Sequence, residues 1–183
     1  MEKDKGLAHM RFRLRAKGRH GIHSPFVYAF IEKVLRHKGH YPDAPPQWPQ
    51  KEWDLWQATV AYLQPEHIFI DQESFPELLP HREAPGTRGG PQPLTRFSAL
   101  ASCQDLLILA HARNLASIAQ LNTLPIAEGR LSIYILHPHS READVHLNAI
   151  IRQPRFKMVM DFWQAALIVQ SPDFKEKQFF ELH

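Results

Sequence analysis

The sequence predicts an α/β domain with a mostly parallel sheet, helices on both faces and a C-terminal antiparallel hairpin. Three observations lead there. Asp105 to Ala110 and Leu131 to Leu136 are apolar runs without alternation, which suits strands covered on both faces. Between them a segment carrying Leu115, Ile118, Ala119 and Leu121 has helical spacing, so the unit reads strand, helix, strand. Phe156 to Phe162 and Gln164 to Gln170 then follow as short adjacent runs that can pair as a hairpin.

A chain of 183 residues is the size of one domain and can bury a large core. Its fifteen prolines against eight glycines concentrate in two loops. The single cysteine, Cys103, excludes an internal disulfide and suits a reducing compartment; at the mouth of an apolar strand it reads as a small buried hydrophobe. Met1 to Lys5 is charged with no apolar stretch behind it, and no run approaches the ~20 residues that span a bilayer, so a cytoplasmic protein without a membrane span is expected. The net charge of +3 is uneven. Residues 1–40 hold ten Lys and Arg against three acids, and the remainder holds twelve against sixteen.

In chain order, Met10, Phe12 and Leu14 alternate with Arg11, Arg13 and Arg15, the pattern of a short strand or an extended basic arm. Those three arginines are candidate anion contacts, on nucleic acid or another anionic partner, with a solvated docked tail as the competing reading. His20 and His23 have a spacing metals use, but no third ligand is near and a glycine turns between them, which favours a structural role. Ser24 before Pro25 is a helix start: the hydroxyl caps an orphan N–H, and proline has none to orphan. Val27, Phe30, Ile31, Val34 and Leu35 give that helix an apolar face to about His37. Four prolines make His40 to Gln50 a stiff connector, so residues 1–52 are grouped as arm, helix and connector, and 53–183 as the α/β domain.

Trp53, Trp56, Val60 and Leu63 recur at helical spacing until Gln64-Pro65 stops the helix, and His67 to Asp71 reads as a strand ending in an acid. The stretch Pro85 to Pro93 reads as a surface loop, with anion binding through Arg82 and Arg88 as a weaker alternative. Gly129 breaks the chain before the strand at Leu131. Ser140 is the expected cap of a helix with Ala143, Leu147, Ile150 and Ile151 on one face, and Ser171 to His183 is at most amphipathic.

Ligands of open α/β sheets bind outside the carboxyl ends of the strands. The strands at His67, Asp105 and Leu131, placed side by side in that order, end at Asp71, at Ala110-His111 and at His137-Pro-His139. Adjacent strands lie ~5 Å apart. Asp71, His111, His137 and His139 therefore form a candidate ligand or metal cluster, against the competing view that some of twelve histidines fall at polar strand ends by chance.

His20-Gly-Ile-His-Ser-Pro-Phe-Val27, Asp105-Leu-Leu-Ile-Leu109, Leu124-Pro125 before a strand, Ser140-Arg-Glu142 and the Phe156 to Val169 hairpin resemble a group of bacterial class I S-adenosylmethionine-dependent methyltransferase-like proteins. The likeness covers most of the chain, and the opening phrase is its most specific part. It implies a Rossmann-like methyltransferase fold, shortened here, because only 33 residues separate Asp71 from Asp105. The departures fall on the chemistry. Gln72 and Pro76 stand near the glycines expected after the first strand, Ala110-His111 where the family has an acid and glycine, and Ile135 and Leu136 where it has paired acids. Bulky residues at glycine positions block backbone approach, and lost acids remove hydrogen-bond partners. The resulting expectation is a degenerate domain that has lost cofactor binding and catalysis and acts as a scaffold or binding protein. Two alternatives stay open: a working methyltransferase using S-adenosylmethionine through a rebuilt site, and a nucleic-acid-binding module using the basic arm.

Overall fold

The computed structural model describes residues 9–14, 16, 23–36, 41–79, 91–94, 103–115, 129–140 and 143–182. The helix expected around Leu115 to Leu121, the loop with Arg82 and Arg88, His20 and Arg15 fall outside those residues or largely so.

The described residues form a seven-stranded sheet from β1 (His67–Ile70), β2 (Gln92–Pro93), β3 (Asp105–His111), β4 (Arg130–Leu136), β5 (Met158–Asp161), β6 (Ala165–Gln170) and β7 (Gln178–Glu181). Their order is β2-β1-β3-β4-β6-β5-β7. β2, β1, β3 and β4 run parallel, with Leu106 opposite His67 and Leu131 opposite Leu106. β6 is reversed: it lies antiparallel to both β4 and β5, and β7 then pairs parallel with β5. The three central strands thus lie side by side in the expected order, and the hairpin closes the sheet.

The unbroken apolar runs are explained by two cores, one on each face. Leu107, Leu109, Tyr134, Leu136, Leu167 and Val169 point into one core, and Leu106, Ile108, Leu131, Ile133, Ile135 and Ile168 into the other. The first is covered by α1 (Pro25–Phe30), its continuation as a π turn (Ile31–Leu35), and α2 (Gln50–Leu63). Val27, Phe30, Trp56 and Val60 supply the contacts. The second is covered by α3 (Ala143–Ile151) through Leu147 and Ile150, and by Leu115 after β3. Each fully buried leucine contributes about 1.5–3 kcal/mol by leaving water.

Local chemistry sets the ends. The Ser24 hydroxyl accepts from the Val27 N–H at 3.5 Å with Pro25 at the first helical position, as the sequence leads one to expect. α2 ends at Gln64, which takes the left-handed conformation (φ 47°) before Pro65. Beside that end, the Arg130 guanidinium grips Asp105 on both oxygens, at 3.0 and 2.6 Å, and donates to the Leu63 carbonyl oxygen. One side chain therefore ties the starts of β3 and β4 to the last turn of α2.

Three segments depart from expectation. Residues 9–14 are helical rather than a strand or extended arm. Of the three apolar side chains that suggested alternation, only Phe12 is buried, while Met10 and Leu14 are exposed, so no second face existed to hold a strand. The tail contributes β7, whose Phe180 packs on the first core. Gln92 and Pro93, inside the expected loop, pair with β1 as the sheet's short outer strand, a place that tolerates proline. Among the described residues no helix is long and apolar enough to cross a membrane.

Gly129 owes its identity to crowding as well as to chain breaking: a Cβ there would run into the backbone carbonyl of Gln104. Gly129→Ala is expected to lower stability by about 1–3 kcal/mol, the range for overpacking a tight contact, measured by urea denaturation. An unchanged midpoint would show that the β3 and β4 starts can move apart freely.

Candidate functional site

At the carboxyl edge of the parallel strands lies a cleft of about 330 Å³ whose lining includes Trp48, Glu52, Glu77, His111, Arg113 and His137. Five segments build it, one of them the loop after β1 that carries Ser74, Phe75 and Glu77. The connector delivers Trp48, the first turn of α2 delivers Glu52, β3 ends in His111 with Arg113 two residues on, and β4 hands over to His137. A carboxylate in the first turn of a helix is favoured by the helix dipole, which suits Glu52 to its place. His137 adopts φ 55°, a left-handed conformation rare for a residue with a side chain, and its N–H donates to the Gln164 carbonyl at 2.9 Å.

The structure brings together two of the expected histidines. The His111 and His137 rings lie 5.3 Å apart, tilted by 50°. His137 Nε2 is 3.6 Å from Glu52 Oε2. His111 Nδ1 accepts from the Arg113 N–H at 3.2 Å and lies 3.3 Å from Arg113 Nε, and an Arg113 terminal nitrogen is 3.4 Å from His111 Nε2, so the guanidinium lies across both ring nitrogens. Burial, with the Arg113 and His137 charges adding to it and Asp71 opposing, pulls the His111 pKa down to about 4. At neutral pH His111 is an uncharged imidazole facing a cationic neighbour.

Asp71 is near enough to influence His111, and one of its carboxylate oxygens is engaged within its own loop. Asp71 Oδ2 accepts from the Ser74 hydroxyl at 2.6 Å, and Ser74 Oγ accepts from Asn114 Nδ2 at 3.0 Å. The Ser74 and Phe75 N–H groups both return to the Asp71 carbonyl. This tight turn throws Phe75 inward, where it is buried against Trp48 (5.3 Å between rings) and faces His111 (6.3 Å). Trp48 is pinned in turn by its indole N–H, which donates to Glu77 Oε1 at 3.0 Å. Protein side chains thus crowd the edge above β1, and Ser74, Phe75 and Glu77 wall the cleft on that side.

His139 belongs elsewhere. Its Nε2 pairs with both oxygens of buried Asp161 at 2.9 and 3.0 Å, and its ring stacks on Trp163 at 4.4 Å. Asp161 also accepts from the Trp163 N–H at 2.9 Å, holding Trp163 at φ 71° in the hairpin turn. Among the described residues no group of three or more His, Cys, Asp or Glu side chains is placed to hold a metal ion. The expected four-residue cluster therefore divides into a His111–His137 pair, an Asp71 turned into its loop, and a His139–Asp161 pair.

Arg11 and Arg13 are exposed on the helical turn 9–14, and Arg15 lies outside the described residues. Sequence reasoning missed Glu52, Trp48 and Phe75, whose approach to the edge depends on how the connector folds back. Arg113 was within reach, since two residues past His111 is the spacing at which a turn lets a long side chain fold over its neighbour. No family model, no curated protein and no solved structure matches the chain.

The depressed His111 pKa has a definite sign. The folded value lies below the ordinary 6.5, so the stability it contributes is present above that value and is lost as pH falls from 6.5 toward about 4. Replacing His111 by Asn keeps an acceptor for Arg113 and removes the titration. The urea midpoint of His111→Asn is expected to fall less than that of the parent between about pH 7 and pH 4.5. Equal falls would show that His111 is freely protonated in the fold.

Proposed function

We propose that the chain is a shortened, degenerate class I methyltransferase-like domain that no longer holds S-adenosylmethionine and serves as a scaffold or binding domain. The observation that carries this reading is the closed turn after β1. Where the resemblance calls for glycines that let backbone approach a cofactor, Gln72 and Pro76 flank a turn locked by Asp71 and Ser74, and Phe75 occupies the space against Trp48. The residues present do not fit the cofactor. A bound nucleoside needs room for its ribose and partners for its hydroxyls; here Phe75 and Trp48 take up the room, and one oxygen of Asp71 already accepts from Ser74.

The sheet supports the family side of the reading. A single reversed strand, β6, inserted between β4 and β5, is the closing hairpin that the resemblance implies. A fold of this class hosts many activities, so activity is argued from the site alone.

Calorimetric titration of the full chain with S-adenosylmethionine and S-adenosylhomocysteine tests the proposal. The expected result is no saturable heat from either compound at millimolar concentration. Micromolar affinity for either would overturn it and favour a working enzyme with a rebuilt site.

A further inference from the structure

A second and larger recess, of about 530 Å³, lies on the α2 side of the sheet and is lined by residues other than those of the cleft at the ends of β3 and β4. Val34, Ala58, Phe162 and Leu182 of the first core lie behind its wall, and Leu35, Leu55 and Trp163, partly buried, give it accessible apolar surface. Its rim carries Arg13 from the helical turn 9–14 and Lys51 from α2. Both are exposed, and among the described residues neither has an ion-pair partner. Among the described residues the lining has one acid, Asp54, which accepts from the Gln50 side-chain amide at 2.8 Å. Among the described residues of the lining the balance is positive, and the His9 ring lies stacked on Trp163 at 4.6 Å.

Size and shape both suit a small ligand. Protein interiors hold few voids larger than a water molecule, whereas small-molecule sites measure roughly 300–1,000 Å³ and combine apolar walls with a few placed polar groups. Two departures from regular backbone meet here. The π turn at Ile31–Leu35 brings Val34 and Leu35 to the wall, and such widened turns concentrate at functional sites. Trp163, also in the lining, keeps its left-handed backbone because Asp161 holds its N–H.

We propose that this recess binds a small amphipathic anion, its apolar body against the accessible faces of Leu35, Leu55 and Trp163 and its carboxylate or phosphate head between Arg13 and Lys51. Charge complementarity selects the class: an apolar wall accepts any amphiphile, and the two cations favour an anionic head over a cationic or neutral one. The site is separate from the edge above β1, so its failure leaves the reading of that edge untouched.

Decanoate and the decyltrimethylammonium cation, which share a chain and differ in head charge, are the probes, titrated into the full chain by calorimetry and tryptophan fluorescence. Decanoate is expected to bind once per chain, at least tenfold more tightly than the cation, and decyl phosphate separates a preference for phosphate from one for carboxylate. In the Arg13→Glu, Lys51→Glu double variant the order of the two decyl probes is expected to reverse. Both substitutions are on exposed residues, and a thermal melt matching the parent confirms the fold. No binding of decanoate or decyl phosphate, equal binding of anion and cation, or an unchanged order in a folded double variant would overturn the proposal.

Discussion

Everything in this structure depends on two adjacent strands having no wet side. β3 and β4 are buried along both faces, so the chain must place helices on each side of the sheet before these strands can leave water. Alternation then sorts the side chains without changing their character: Leu107 and Leu109 meet α2, while Leu106 and Ile108 meet α3. The same constraint concentrates charged chemistry at the strand ends, because a charge between two apolar layers finds nothing to replace its water; the uncharged hydroxyls of Ser132 and Tyr134 do lie between the layers, buried and, among the described residues, without a hydrogen-bond partner. Buried Tyr134 shows the cost. Burial first, and then the Glu52 carboxylate, push its hydroxyl's pKa well above the ordinary value, so it stays protonated under the helix.

The fold was legible because that constraint writes itself into composition. Unbroken runs such as Leu106 to Leu109 admit few environments, and Ser24-Pro25 and Gln64-Pro65 mark helix ends by mechanisms that act within a few residues. What the sequence concealed was pairing chosen by distant partners. Gln178 to Glu181 has no strand signature of its own; it becomes β7 because β5 offers an open edge. Phe12 is buried because His139 and Trp163 present rings to it, while the alternation around it signified nothing.

The candidate site was half legible for a related reason. Topology alone puts the ends of β1, β3 and β4 at one edge, and His111 and His137 do meet there. Which way a side chain turns beyond the strand end is set by loops, and loops carry no periodicity. His137 turns toward Glu52, but two residues later His139 turns to Asp161, a partner on a different strand that sequence gives no means of choosing. Asp71 likewise closes on Ser74, three residues along, a local hydrogen bond of the kind acids near turns often prefer. The edge is consequently crowded at β1 and open at β3 and β4, while the recess on the α2 side combines apolar walls with two exposed cations, Arg13 and Lys51.

The central claim is that the edge above β1 is packed shut by the chain's own side chains. Hydrogen exchange at the Trp48 indole N–H and the Phe75 amide, followed by NMR on the full chain, tests it most directly, since both are hydrogen-bonded within the plug, to Glu77 and Asp71. The account expects both to exchange much more slowly than in an unstructured peptide. Exchange at the unstructured rate would mean that the edge stands open and that Trp48 and Phe75 do not close it.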